Sequence, residues 1–435
     1  MGDPQNKNNG FQNHPVIPRA TLVFAAVALG VWLRGIPNEI DIDSYAYQKM
    51  AGGKMGEVVQ PYANRVLHPL LVQNIAKLGI QDNALIFAGV GAVSLFIFVF
   101  SVAGLVGKRL PPLGLAAMLC SPVLCLYCVN IYLPDLFYLA QWGLLLLLMR
   151  REKILWGAIL LFFMQMTRES TVLVAAAIIA AAVFHKKWKW AFAAGAALLC
   201  GMAAVSWLAR GAQTNIHGLN GIFYMGTKVL ANAAANLLGI TVWTDSYARV
   251  LPHMYPEMPV WKTGLPAWLS LGGVGEVGIY EVNPAAFFRT TAVVLSTFGV
   301  LPVLLLRHVK NTGWKKLKDL PFFPLVLLLS GVAFYGLGMV SGRSVDRLTG
   351  YGWPVFWVFL PLFYGWKKGA QNETMDPPSI PCNTLFWVLQ ILCQWAPLLV
   401  FRIHAPFQLA AGLAAVLLCH WCAWKLLARL TAQKA

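Results

Sequence analysis

Long apolar runs separated by short polar segments dominate the pattern of this 435-residue chain. A helix that crosses a bilayer needs about 20 consecutive apolar residues, and fewer where the membrane thins around it. Runs of this kind predict about twelve membrane-spanning helices. They cover residues 19–36, 83–107, 110–131, 134–149, 153–167, 170–184, 190–209, 284–306, 321–340, 350–366, 384–403 and 405–426. The pattern therefore predicts an all-α polytopic membrane protein with a single transmembrane domain over residues 1–435.

The apolar stretch 153–184 leaves two arrangements open, either one long helix or a hairpin of two short helices. Basic clusters stand at both of its ends, and the charged pair Arg168-Glu169 interrupts its middle. Both ends lie on the same side of the membrane if the chain turns back at this pair. We therefore favour the hairpin.

Composition supports the membrane assignment. Hydrophobic residues make up 58% of the chain, charged residues only 12%, and the mean hydropathy is +0.62. A soluble domain carries roughly 25% charged residues. The first apolar run, 21–33, has no small-residue cleavage pattern after it, so we expect a retained anchor; a short signal peptide is the alternative.

The formal net charge of +17 is unevenly distributed along the chain. With a cytoplasmic N-terminus and alternating spans, about 20 Lys and Arg against 5 acids fall in cytoplasmic segments, and about 14 against 12 fall outside. This bias predicts cytoplasmic N- and C-termini, and it removes nucleic acid as the explanation of the charge. The outer side then receives a first loop with interfacial helices, 37–82, and a long loop, 210–283.

The first outer loop carries two candidate catalytic carboxylates, Asp41 and Asp43. Asp43, Tyr47 and Ala51 are spaced so that they share one face of a helix. A carboxylate fixed there is suited to be a general base towards a hydroxyl nucleophile. The alternative is that both acids cap the start of a loop helix, and the two roles are compatible.

Arg65 follows in the same loop, between two prolines. Its forked guanidinium suits phosphate oxygens, and the alternative is an interfacial arginine that reaches lipid headgroups. His68 lies three residues later and is a supporting candidate, with a packing role as the alternative.

Three charged residues lie at the ends of predicted spans, on the predicted outer side of the membrane. Asp135 follows a proline at a helix start, where it is either a capping acid or a second carboxylate or metal ligand beside Asp43. Arg168 and Glu169 are costly so close to hydrocarbon, so such a pair usually lines a bundle interior. They form either a structural ion pair or a phosphate-binding arginine with its orienting acid.

A late outer loop contains Arg343 and Arg347, four residues apart and so on one helical face. Two arginines in this arrangement can clamp a phosphate or pyrophosphate. Headgroup contacts and a local salt bridge to Asp346 are the alternative.

These outer-loop motifs resemble the GT-C superfamily of integral-membrane glycosyltransferases, in a small bacterial branch. The resemblance covers the topology of most of the chain but individual residues in only a few short segments. It is carried by Asp43-x-x-x-Tyr47, Pro61-Tyr62-x-x-Arg65-x-Leu67-x-Pro69, Pro134-Asp135, Arg168-Glu169 and the arginine-bearing loop 343–347.

The resemblance implies transfer of a sugar from a polyprenyl-phosphate donor to a glycan, lipid or protein acceptor outside the cytoplasm, with inversion. It implies Asp43 or Asp41 as the base that deprotonates the acceptor hydroxyl. It implies Arg65, Arg168, Arg343 or Arg347 as ligands of the donor phosphate, and it leaves open a divalent cation, Mg²⁺ or Mn²⁺. Membrane lipids are the other expected partners, and the bacterial plasma membrane is the expected location.

Two other functional classes remain open. A transporter or lipid flippase also places charges inside a helical bundle, but inverted repeats and broken helices are expected there, and neither is visible in the sequence. A polymerase or ligase of lipid-linked glycans without GT-C architecture is expected to rely on arginines and one long outer loop. Neither needs a carboxylate in the first loop.

Overall fold

The structure is a computed structural model that describes most of the chain in thirteen stretches. These are residues 42–58, 62–80, 82–119, 121–212, 226, 228–244, 261–263, 277–283, 285–312, 319–341, 345–363, 384–401 and 406–432. The predicted first span, 19–36, lies outside the described residues, as do Asp41 and Arg343.

Helices account for most of the described chain. The first nine are α1 (Ile42–Ala51), α2 (Leu67–Ala76), α3 (Asn83–Val106), α4 (Pro112–Leu119), α5 (Pro122–Val129), α6 (Asp135–Arg150), α7 (Ile154–Thr167), α8 (Thr171–Phe184) and α9 (Trp188–Leu208). The later ones are α10 (Ala285–Ser296), α11 (Leu301–Thr312), α12 (Phe322–Ser341), α13 (Val345–Thr349), α14 (Leu360–Phe363), α15 (Thr384–Phe401) and α16 (Pro406–Ala432). Two 3₁₀ turns, Met55–Glu57 and Tyr62–Asn64, connect α1 to α2.

Local chemistry accounts for where several helices begin. The side chain of Asp82 accepts hydrogen bonds from the backbone N–H groups of Ala84 and Leu85, which lack partners inside the first turn of α3. Ser121 caps α5 in the same way through Leu124, and Pro122 follows in the first turn, where its missing N–H costs nothing.

Three predicted spans are not continuous helices. The run 110–131 contains two short helices, since α4 ends at Leu119 and α5 begins at Pro122. The run 284–306 contains α10 and α11, and their axes differ by 71°. In 350–366, a 3₁₀ turn and a π-helical segment, Pro354–Phe359, precede α14. These breaks are not visible in the sequence, because apolar composition alone does not report them.

The stretch 153–184 is two helices, α7 and α8, as the hairpin prediction requires. Arg168 ends α7 because its backbone is extended, with φ −159° and ψ 132°.

The all-α prediction misses a small antiparallel sheet in the long loop 210–283. Its strands are β1 (Ile240–Thr244), β2 (Trp261–Thr263) and β3 (Val277–Val282), in the order β1-β3-β2. Ile240 pairs with Val282 at one end of the β1–β3 ladder, and Trp261 pairs with Ile279 between β2 and β3. Strands of three to six residues give little periodicity, so the sequence pattern did not reveal them.

Four described helices are long and apolar enough to cross a membrane, and a fifth span results if the bent pair α10–α11 counts as one. The four cover Asn83–Val106, Trp188–Leu208, Phe322–Val340 and Leu409–Leu430. The protein is thus a mainly helical chain with four or five candidate membrane spans among its described residues.

Two apolar clusters organise the packing. The larger one runs through the bundle, where α3 packs on α6, α7 on α9 and α15 on α16, and its centre contains Trp142 and Trp353, 5.4 Å apart. A Cβ on Gly143 would lie 2.9 Å from Ser101, so glycine permits the close approach of α6 to α3. The smaller cluster joins α1 and α2 to residues 131–133, 166 and 205–209 at one end of the bundle. The first outer loop is therefore packed against that end.

Candidate active site

Charged side chains from five separate segments meet where α6 begins and α7 ends. Their positions place them between the bundle and the packed first loop. They are Asp43 on α1, Arg65 after the second 3₁₀ turn, Asp135 at the start of α6, Arg168 and Glu169 between α7 and α8, and Arg347 on α13. The structure thus brings together six of the residues singled out in the sequence, which we call the ion cluster.

Asp135 and Arg168 form the innermost pair, and both are buried. Arg168 donates from Nη1 to Oδ1 of Asp135, and the hydroxyl of Tyr351 donates to the same oxygen. The Arg168 guanidinium also lies 4.8 Å from the centroid of the Tyr351 ring. Oδ2 of Asp135 has no hydrogen bond to a described residue, and Nε of Arg347 is 3.9 Å from it. The first oxygen of Asp135 therefore holds Arg168, and the second faces Arg347.

Arg65 and Glu169 form the second pair, which is closer to solvent. Arg65 donates from Nε to Oε2 of Glu169 at 2.8 Å and from Nη2 to Oε1, a forked arrangement, while its Nη1 donates to the Tyr47 hydroxyl at 2.7 Å. Burial acts to raise the pKa of Glu169, but Arg65 lowers it well below its usual range. Burial raises the pKa of Tyr47 to about 12, so its phenol stays neutral. All three guanidinium nitrogens of Arg65 are thereby engaged.

Asp43 is held more loosely than the other two carboxylates. It lies in the first turn of α1, on the same helix face as buried Tyr47, as the spacing predicted. Its Oδ2 is 3.5 Å from Nη2 of Arg347, and it accepts a hydrogen bond from Tyr62. Its side chain is 24% exposed. Within the cluster, Asp43 is the carboxylate that combines access to solvent with no forked arginine partner.

Two glycines bring Arg347 to this position. A Cβ on Gly350 would lie 2.6 Å from the Tyr127 hydroxyl, and one on Gly338 would lie 2.5 Å from the backbone nitrogen of Thr349. With both glycines present, α13 packs against α5 and α12, and the Tyr127 hydroxyl donates to the backbone carbonyl of Arg347. The arginine is thus fixed at its backbone while its side chain reaches two acids.

Lys228 is a cation that the sequence pattern did not identify. It lies in the helical residues 228–233 of the long loop, within electrostatic range of Glu169, Arg65 and Asp43. Burial lowers the pKa of its ammonium group, and Glu169 opposes that effect. The segment is anchored to the bundle farther on, where Asn236 donates to the carbonyl of Met339 at 2.8 Å. The long loop therefore contributes a lysine to the cluster.

His68 is buried next to the cluster and packs between aromatic rings. Its ring centroid is 5.5 Å from that of Phe137 and 5.1 Å from that of Phe87. Burial lowers its pKa to about 4, against a weaker opposing effect of Asp135. It is therefore neutral at pH 7, which fits the packing alternative better than phosphate binding.

Tyr127 and Tyr351 were also not identified in the sequence. Both are fully buried aromatic side chains, a type that usually indicates only core packing. Tyr351 lies four residues after Arg347, and that closeness to the charged loop 343–347 is the sequence signal that could have found it.

The carboxylates of the cluster do not fit a divalent cation. Asp43 and Asp135 lie 3.5 and 3.9 Å from nitrogens of Arg347, and its fixed positive charge opposes a metal ion beside either carboxylate. Within the described ranges, no three His, Cys, Asp or Glu side chains are grouped in a way that could hold a metal ion. Arg347 supplies the positive charge that a metal would bring.

Comparisons of the chain with protein-family models, with curated proteins and with solved structures give no match.

Proposed function

We propose that the protein is a membrane glycosyltransferase that transfers a sugar from a polyprenyl-phosphate donor to an acceptor hydroxyl. The observation that carries the proposal is the convergence of distant charged residues around Asp43, a partly exposed carboxylate. Asp43 is the base in this proposal, because an ionised acid at the edge of a cluster of arginines can take a proton from a hydroxyl that approaches it from solvent.

The proposed step breaks one bond and forms one. The acceptor oxygen attacks the anomeric carbon while its proton passes to Asp43, and the bond from that carbon to the phosphate oxygen breaks with inversion. Polyprenyl phosphate leaves with an additional negative charge. Arg347 is the arginine best placed to stabilise that charge, because its side chain, at 13%, is more exposed than those of Arg65 and Arg168, at 8% and 3%, and its Nη2 lies 3.5 Å from the proposed base Asp43.

The net charge of the cluster supports a monophosphate donor. Three carboxylates face three guanidiniums, so the six residues balance, and Lys228 adds one positive charge. A sugar joined to a lipid through one phosphodiester carries a single negative charge, whereas a pyrophosphate link carries two. The second pair, Arg65 and Glu169, orients the site in this proposal, because each of the three guanidinium nitrogens of Arg65 already donates to Glu169 or Tyr47.

The predicted topology completes the proposal. About twelve spans with both termini in the cytoplasm would place the cluster on the outer side of a bacterial plasma membrane. Polyprenyl-linked sugars are used on that side to build envelope glycans, so a glycan, lipid or protein of the envelope is the proposed acceptor.

One observation favours a transporter as a second candidate. The pair α10–α11 is bent by 71°, and broken helices are common in transporters. The charged residues, however, lie at one end of the bundle and not near its middle, where transporter sites usually lie. The glycosyltransferase accounts for that placement better.

The test is Asp43→Asn, followed by mass spectrometry of envelope glycans and lipid-linked sugars. We expect loss of the glycan and accumulation of the lipid-linked sugar, with a rate reduced by about 10²–10⁴-fold. Asp82→Asn is the matched control, because Asp82 belongs to the same loop, 37–82, and asparagine caps a helix equally well. An unchanged glycan profile at normal protein level would overturn the proposal, and unimpeded sugar transfer with loss of lipid or solute transport would favour the second candidate.

A further inference from the structure

A cleft lies between the turns that join α6 to α7 and α8 to α9. It is an open cleft with a volume of about 440 Å³ and is lined by Glu152, Ile154 and the run 186–190. Each of the two turns contains a residue in the left-handed region, Glu152 at φ 55° and Lys186 at φ 56°.

The cleft is far from the ion cluster. Helix α7 runs from the cleft, at Ile154, to Thr167, which adjoins Arg168, and it has 14 residues. At a rise of 1.5 Å per residue, the helix is about 21 Å long. The cleft therefore lies at the opposite end of the bundle, which the charge distribution predicts to be the cytoplasmic end.

Lysine side chains surround the cleft, and they are not equivalent. Lys187 pairs with Glu152 at 2.7 Å, and its ammonium group lies 5.1 Å from the centroid of the Phe322 ring. Lys186 and Lys189 are exposed at the rim. The rim thus offers two accessible positive charges beside one that is already engaged.

An apolar surface continues from the cleft along α9. Trp188, Phe192 and Leu199 are all more than half exposed, and their spacing of four and seven residues places them on one helix face. Gly195 lies on that face with open space around it. The ring of Trp190, on the buried side, packs so closely on Gly157 that a Cβ there would lie 2.9 Å from it. Helix α9 is itself one of the candidate membrane spans.

We propose that this cleft binds the headgroup of an anionic phospholipid between Lys186 and Lys189, with the acyl chains along Trp188, Phe192 and Leu199. Charge complementarity selects an anionic headgroup, and the apolar stripe selects a lipid over a soluble phosphate. The site does not depend on the proposed glycosyl transfer, because none of its residues belongs to the ion cluster.

The test measures lipid retention by the full-length protein in nanodiscs. Discs contain phosphatidylcholine with 20 mol% phosphatidylglycerol as the probe, and native mass spectrometry counts the lipids that remain bound. Lys186→Gln/Lys189→Gln is compared with Lys425→Gln/Arg429→Gln. This control pair removes the same charge from another predicted cytoplasmic helix end, where Lys425 also lies near a tryptophan, 5.7 Å from the Trp421 ring.

We expect the first variant to retain phosphatidylglycerol about 5- to 25-fold less tightly, and the control to match the wild-type protein, since each lysine near an anionic surface contributes about fivefold. Phosphatidylcholine retention should not change in either. Equal losses in both variants would overturn the proposal in favour of diffuse attraction, and no loss in either would also overturn it. Competition by soluble glycerol 1-phosphate at equal concentration would instead identify a phosphate site without lipid specificity.

Discussion

The two ends of the helical bundle hold their charges in opposite ways. At the ion cluster, Asp135 and Arg168 pair with each other, and their side chains are only 1% and 3% exposed. At the cleft between the turns around Glu152 and Lys186, Lys187 and Glu152 pair with each other, and their side chains are 39% and 71% exposed. A buried charge that loses its partner is left without solvation, whereas water replaces the partner of an exposed charge. Pairing therefore fixes geometry at the first end, and it leaves the charges of the second end accessible to other partners.

The largest effect should follow from breaking the buried pair. Asp135→Ala leaves Arg168 buried and without its carboxylate, and it also removes the acceptor of Tyr351, so we expect a loss of about 3–5 kcal/mol in the free energy of unfolding. Thermal unfolding in detergent measures it. The double variant Asp135→Leu/Arg168→Met should recover most of the loss, because two apolar side chains replace two charges. A loss below about 1 kcal/mol for the single variant would contradict the buried pairing.

The pair of Arg65 and Glu169 in the same cluster should respond more weakly, because the Glu169 side chain is 34% exposed. Glu169→Gln removes the forked partner of Arg65, but water reaches this carboxylate, so we expect a loss of about 1–2 kcal/mol at pH 7. The pKa of Glu169 is lower in the folded protein than in the unfolded chain. Its contribution is therefore fully present above pH 4.5, the usual value, and is lost as the pH falls further.

Unfolding measured from pH 7 down to pH 3 checks both expectations. The acid-dependent loss of stability should be shallower in Glu169→Gln than in the wild-type protein. Glu57→Gln is the control, since Glu57 pairs with Lys49 at 3.1 Å on the surface of the first loop. Identical acid profiles for Glu169→Gln and the wild-type protein would show that the Arg65 pair does not stabilise the fold.

Lys228 should affect ligand binding more than stability. We expect Lys228→Gln to weaken the binding of a short-chain prenyl phosphate by about tenfold, because it removes the positive charge that the other six residues do not balance. Lys77→Gln removes a lysine from the first loop, outside the cluster, where its ammonium group is exposed and lies 3.5 Å from Oδ1 of Asn74, and it should have no effect. Equal affinity of both variants for the prenyl phosphate would show that Lys228 does not contribute to binding.

Much of this arrangement was predictable because helix period and charge distribution are local signals. Asp43 and Tyr47 share a face through helical spacing alone, and Arg168 breaks a long apolar run in the sequence. The pairings were not predictable, since the partners of Arg65 and Asp135 are 104 and 33 residues away. They depend on close helix approaches such as those at Gly338 and Gly350, which a single sequence does not distinguish from other glycines.

Lys228 and the bent pair α10–α11 were missed for a different reason. A lone lysine in a long mixed loop has no periodic context, and a bend after Ser296 leaves the apolar composition on both sides unchanged. The prediction of about twelve spans stays a prediction for the same reason, because apolar length does not separate a short spanning helix from a packed one.

The smallest effect should come from the exposed pair at the cleft. Glu152→Gln removes its salt bridge with Lys187, and we expect a change below about 0.5 kcal/mol in the free energy of unfolding. Glu152 also holds a left-handed backbone conformation that asparagine adopts more readily, so Glu152→Asn should equal or slightly exceed the wild-type stability although it also removes the carboxylate. Thermal unfolding of both variants at low and high salt separates the two contributions. A loss above about 1 kcal/mol in Glu152→Gln would mean that the exposed pair acts like the buried one, and the contrast between the two ends would fail.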